Sequence, residues 1–217
     1  VLSFEGEAIA ASEPDSVQPG CLGVVSNDGT VSLILNGSGQ VTGLTAGGQD
    51  VHAPAAAPFS GLLIRDQSTP GQPWLRIAGS AQSSGPNVTQ QAVVGEAGAE
   101  VTAHYLSGAD HLQVDVIITP TDDDDRVWSV YLALPVQGGG TFGADINTEL
   151  STATGSASNT TKAGNPEPFG ATGSISRVPI GPITYESSGL TLGYPLTVPR
   201  LTRLSYEADP GLLVMAV

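Results

Sequence analysis

Few residues in this chain are of the types that carry chemistry, and their spacing argues against most of the reactions they could support. Three histidines, His52, His104 and His111, stand too far apart for the paired-histidine spacing of a metal site on a helix. No Gly-x-Ser-x-Gly elbow presents a serine nucleophile. Glu100, Asp115, Asp145, Glu149 and Glu186 could supply a glycosidase carboxylate pair, but nothing in the sequence holds two of them across a cleft. Asp122, Asp123, Asp124 and Asp125 form a run of carboxylates. A calcium loop of the EF-hand type needs alternating oxygen ligands, a central glycine and a glutamate about twelve residues from its start. The aspartate run has none of these, so it reads as a solvated acidic turn that binds divalent ions only adventitiously. No catalytic residue and no cofactor is expected.

Cys21 is the only cysteine, which excludes an intrachain disulfide and a thiolate metal cluster. It reads as a small, partly buried apolar residue. The preceding Val17 to Gly20 does not supply the small apolar segment of a lipid-anchoring site. Asn36, Asn87 and Asn159 each begin an Asn-x-Ser/Thr sequon.

Seven basic against 21 acidic residues give a net charge of −14. Such a field repels a phosphate backbone, so nucleic acid is excluded as a partner. One lysine, Lys162, accompanies six arginines in a chain rich in Ser, Thr, Gly and Ala, a usage suited to a secreted, cell-surface or salt-tolerant protein. No apolar run reaches the roughly 18 residues of a membrane span. No charged-then-apolar leader precedes the chain, so a signal peptide, if there was one, is already gone.

The elements that must position these residues are strands. With 40% hydrophobic residues the chain can fill a core despite 28 glycines and 16 prolines. No stretch keeps a helical period. Period-two runs are expected at 31–36, 41–45, 61–66, 74–79, 88–95, 100–107, 111–119, 126–136, 174–180, 183–187, 190–196, 200–208 and 212–217. Asn27-Asp28-Gly29, Asn36 to Gly39 and Gly47-Gly48 supply turn chemistry between them. Residues 1–22 are expected to form an extended N-terminal arm, and 23–217 one all-β domain, an antiparallel sandwich, with a Gly/Ser/Thr-rich insertion at 138–173. The apolar run Gly211 to Val217 ends in mid-strand, as if the native polypeptide continued.

In the central meander, a loop at Ser107 to Asp110 sets Tyr105 opposite Leu112, Ala103 opposite Val114 and Val101 opposite Val116. A second hairpin through Thr121 to Asp125 then sets Leu112 against Leu134, Val114 against Leu132, Val116 against Val130 and Ile118 against Trp128. Both registers bury one face. The other carries Thr102, His104, Gln113, Asp115, Ser129 and Tyr131, read either as a solvated sheet face or as a sugar-contacting surface. In the second reading Tyr131 stacks on a pyranose, beside Asp115, while Gln113 lies beside His104, and these polar groups with Thr102 meet hydroxyls.

Five segments carry a family resemblance: LILNGSGQVTGLTAGGQDV, SGLLIRD with the following Trp74, EVTAHYLSGADHLQVDVII, DDRVWSVYLALPV and GLTLGYPLTVPRLTRLSYEADPGLLVMAV. Together they resemble the N-terminal β-supersandwich domain, galactose-mutarotase-like in fold, of large secreted bacterial glycoside-hydrolase-like proteins. The resemblance implies a non-catalytic accessory or carbohydrate-contacting domain ahead of a separate catalytic domain in the same polypeptide. It does not imply mutarotase activity, because the histidines of mutarotases have no counterpart at His52, His104 or His111. Two further readings stand beside it. One is a self-assembling extracellular subunit whose residues 1–12 add a strand to a neighbour, making a homo-oligomer or filament; the other is an autonomous sugar-active enzyme.

Overall fold

The computed structural model describes residues 2–6, 20–68, 72–137, 141–144, 151–152, 173–177, 183–187, 190–194, 202–207 and 211–216. Among these, three antiparallel sheets account for nearly all regular structure. The nine-stranded sheet runs in the order β14 (Ser151–Thr152), β13 (Thr141–Ala144), β16 (Ile183–Ser187), β17 (Leu190–Tyr194), β1 (Leu2–Gly6), β11 (His111–Pro120), β10 (Ala99–Ser107), β9 (Asn87–Val94), β8 (Ser80–Ser84). The six-stranded sheet runs β15 (Gly173–Arg177), β18 (Thr202–Glu207), β19 (Leu212–Ala216), β12 (Trp128–Pro135), β6 (Gly61–Asp66), β7 (Leu75–Arg76). A four-stranded meander comprises β2 (Cys21–Val25), β3 (Val31–Asn36), β4 (Val41–Ala46) and β5 (Gln49–Asp50). The only helical turns among the described residues are 3-10 segments, Pro54–Phe59 and Gly95–Ala97. Among the described residues no helix is long and apolar enough to cross a membrane. The protein is an all-β antiparallel sandwich.

Side-chain alternation explains the layering. In β3, Val31, Leu33 and Leu35 are fully buried while Ser32, Ile34 and Asn36 alternate on the other face. The same parity in β10 buries Val101, Ala103 and Tyr105, in β11 Leu112 and Val114, and in β12 Val130, Leu132 and Leu134. These side chains from all three sheets merge into one apolar cluster, against which Val116, Ile118 and Trp128 pack half-buried.

Two turns show how local chemistry fixes the meander. The Asn36 carboxamide oxygen accepts hydrogen bonds from the Ser38 and Gln40 main-chain N–H groups. Gly39, at φ +82, closes that turn, and a Cβ there would lie 2.1 Å from Gln90 Nε2. Gln90 is itself buried, donating to the Ile77 carbonyl at 2.7 Å and accepting from the Tyr105 hydroxyl at 3.0 Å. The turn, β9 and β10 are thereby locked together. Burial raises the Tyr105 phenol pKa well above its ordinary value, so it remains a donor.

Two expectations are corrected. The β10–β11 hairpin pairs Ser107 with Leu112, Tyr105 with Val114, Ala103 with Val116 and Val101 with Ile118, a slip of two residues from the expected register. An even slip leaves each side chain on its face, which is why the buried set stands. The second hairpin does not form. β12 pairs with β6 and β19 in the other sheet, so Leu134, Leu132, Val130 and Trp128 do not oppose Leu112, Val114, Val116 and Ile118. Instead β11 pairs on its free side with β1. Leu2–Gly6 lies as an interior strand between β11 and β17, and Cys21–Val25 opens the meander. Within the span expected as an insertion, β13 and β14 add strands to the nine-stranded sheet, Gly173 begins β15, and its other residues lie outside the described set.

The crossing from one sheet to the other is held by charge and by main-chain bonds. Arg126 bonds Asp122 at 2.9 Å, Asp124 at 3.1 Å and the buried Asp66 of β6 at 2.8 Å. The Trp128 indole N–H donates to the Ala97 carbonyl at 2.8 Å, and the Gln67 N–H to the Val127 carbonyl at 2.7 Å. Asp122 to Asp125 are exposed, but the run is organised around Arg126 rather than simply solvated.

Candidate functional site

Strands β8 to β11 present their outer face as a flat ladder. Register places Gln82, Thr89, His104 and Asp115 in one rung across four strands. Ser80, Gln91, Thr102 and Ile117 form the next. His104 and Asp115, half-buried, are direct cross-strand partners. The Thr89 hydroxyl lies 3.1 Å from His104 Nδ1. Gln113 donates its amide to both Asp115 carboxylate oxygens at 3.0 Å. These contacts hold each side chain upright from the sheet while leaving it in reach of water.

Thr102, His104, Gln113 and Asp115 therefore share one surface. Tyr131 does not belong to it, because β12 lies in the six-stranded sheet. Asp115 has His104 as its neighbour rather than Tyr131, and Gln113 pairs with Leu106 and Ser3 rather than His104. Apolar side chains on the polar face are Val93, 70% exposed on β9, and Ile117, 54% exposed, which the alternation of β11 places beside Thr102. Ser129 also lies away from this face, its hydroxyl accepting from the Gln67 amide at 3.0 Å.

The arrangement offers imidazole, amide, hydroxyl and carboxylate groups for hydrogen bonding, with the Thr89 hydroxyl and the Asp115 carboxylate on either side of the His104 imidazole. Among the described residues no three of His, Cys, Asp and Glu are placed to hold a metal ion, the acidic run included. Asp145 and Glu149 lie outside the described residues. His52 is buried, bridged to Val136 and away from the ladder, and its burial lowers its pKa. His111 closes the β10–β11 loop beside Asp110 at 2.9 Å. Two sequon asparagines are engaged in structure: Asn36 in its turn, and Asn87 accepting from the Ser107 N–H at 2.9 Å.

The outer face of the six-stranded sheet holds what sequence reasoning missed. Tyr131 packs edge-on against Trp74, ring centroids 4.3 Å apart at 75°. Trp74 also covers the guanidinium of Arg65, whose Cζ lies 5.9 Å from the ring centroid. Arg65 is only 8% exposed, and neither its Nε–H nor the Trp74 indole N–H meets an acceptor. A buried donor left unmet costs about 1–3 kcal/mol, and more when charged. Asp66, next in the strand and facing the other way, has Arg126 as an ionic partner; among the described residues no carboxylate pairs with Arg65. Beyond them, Ala53, Ala56, Leu63, Ala133, Leu212 and Val214 form a second small apolar cluster to which the Pro54–Phe59 turn contributes Ala56. The available signal was an arginine directly after the apolar run Gly61 to Ile64, with Trp74 nine residues further on.

Comparison with family models, with curated proteins and with solved structures returned no match in any of the three.

Proposed function

We propose that this chain is a non-catalytic, carbohydrate-contacting β-sandwich domain of a secreted glycoside-hydrolase-like protein, and that its ligand surface is the outer face of β8 to β11. The observation that carries the proposal is the rung Gln82–Thr89–His104–Asp115 with Gln113 and Thr102 beside it. Neighbouring strands set these groups about 5 Å apart, so one sugar ring meets two of them at once. Ile117 supplies the apolar surface for the C–H face of the ring, the role expected of Tyr131. The family resemblance supplies the setting, a catalytic domain in the same polypeptide outside the cell. A glycan array on the chain tests the proposal. A hit weakened about tenfold by His104→Ala and by Asp115→Ala supports it, whereas no hit, or a hit indifferent to both substitutions, removes it.

A second reading rests on β1. Leu2–Gly6 fills an interior place between β11 and β17, two strands far from it in sequence, through main-chain pairing on both edges. The same segment of a neighbouring copy offers the same pairing, which is how a self-assembling subunit would link. Light scattering across a concentration series distinguishes the two: a monomer throughout removes the assembly reading.

A further inference from the structure

Arg65 stands out among the cations of this acidic chain. It is 8% exposed, its Nε–H has no acceptor among the described residues, and its guanidinium lies over the face of Trp74. The Trp74 indole N–H is likewise without an acceptor. The two residues belong to the same corner of the outer face of the six-stranded sheet, with Arg65 on β6 and Trp74 immediately before β7. Two buried donors, one charged and one neutral, thus belong to residues in contact, and each can only donate.

We infer that this corner is a binding site for a compact acid carrying a carboxylate and a second oxygen, of which an acidic sugar is the type. The guanidinium edge formed by Nε–H and one terminal N–H matches a carboxylate with two parallel hydrogen bonds. The Trp74 N–H then meets a hydroxyl or ring oxygen of the same ligand, and the indole face forms a wall of the site. A phosphate fits the guanidinium fork equally well. The net charge of −14, however, repels a dianion about twice as strongly as a monoanion, which favours the carboxylate. The site is on the opposite layer from the ladder of β8 to β11 and stands or falls independently of it.

The chain contains two tryptophans, and the indole N–H of Trp128 is already bonded to the Ala97 carbonyl. Two indole signals in a ¹⁵N spectrum, assigned with Trp74→Phe, therefore report the site and an internal control. Titration with galacturonate is expected to shift the Trp74 signal and leave that of Trp128 in place. Galactose, which lacks the acid, should leave both unmoved. Arg65→Gln should weaken binding at least about tenfold. Arg65→Lys, which keeps the charge but not the fork, should also weaken it and serves if the glutamine variant does not fold. His104→Ala should change nothing here, so failure at one face is distinguishable from failure at the other. If acetate matches galacturonate and both depend on Arg65, the carboxylate site stands and its ligand is a small free acid. Phosphate binding more tightly than any carboxylate overturns the assignment of ligand class. Equal shifts with acetate, sulfate and chloride that survive Arg65→Gln mean an adventitious ion only, and overturn the site. So does the absence of any Trp74 shift at millimolar galacturonate.

Discussion

The two outer faces of the sandwich are built on the same kind of strand and finished differently. On the nine-stranded sheet His104 finds a partner one strand away in Thr89, and Asp115 finds one two residues away in Gln113. The groups stay half-exposed and water completes their bonding. On the six-stranded sheet much of the face is apolar and covered, and Tyr131 and Trp74 extend that cover across the sheet. Arg65 lies where the apolar cover meets polar neighbours, buried by a tryptophan but not neutralised by a carboxylate. The contrast separates two reasons for a side chain to be out of water. Local hydrogen bonding needs only the adjacent strand, whereas cover needs a segment from elsewhere, and a charge caught beneath that cover carries a cost that a ligand can relieve.

Substitutions that break this comparison rank by how much packing they remove. Leu132→Ala empties a fully buried site common to both layers and should cost about 2–5 kcal/mol by denaturant titration. Because it lies behind both faces, it should leave the His104 and Arg65 surfaces equally competent at temperatures where the variant is folded. Tyr131→Ala removes the edge contact with Trp74 and part of the cover over the second apolar cluster, and should cost about 2 kcal/mol. If it proved neutral while His104→Ala was expensive, the assignment of covered and open faces would be reversed.

Asp66 sharpens the comparison through pH. Its pKa is held below the ordinary 3.8, first by the Ser68 N–H, then by the Ser68 hydroxyl and Arg126, against an opposing desolvation. A carboxyl depressed in the folded state stabilises fully above its unfolded value. That stability is lost as pH falls through the lower folded value. Acid unfolding should therefore begin below about pH 4, and Asp66→Asn should flatten that part of the profile. An unchanged acid limb in the variant would show that the crossing is held without this pair. His104→Ala should move stability by no more than about 0.5 kcal/mol, as at open surface positions. Asp123→Asn with Asp125→Asn should have the smallest effect, within the same limit, because neither carboxylate bonds Arg126 in the way Asp122 and Asp124 do.

Much of this was legible in the residues. The segments 31–36, 61–66 and 183–187 form strands with the expected ends, because turn residues bound each apolar alternation. The co-facing of Thr102, His104, Gln113 and Asp115 was legible for the same reason. The strand Ser80–Ser84 was not, since its exposed Ser and Gln carry no hydrophobic period and its pairing comes from β9. Nor was β1, whose five residues are fixed by β11 and β17.

What the sequence by itself determined is which side chains face inward. That information lies in parity, and parity survives both the two-residue slip in the β10–β11 hairpin and the exchange of one partner strand for another. Which strands are neighbours was decided only by the tertiary structure, because ladder hydrogen bonds join main-chain groups that every residue but proline carries in the same form. An inward-facing Leu132 packs against the common core from either sheet, so nothing in its own segment chose the sheet. That choice moved Tyr131 from a polar face to an aromatic one, and set Trp74 over Arg65.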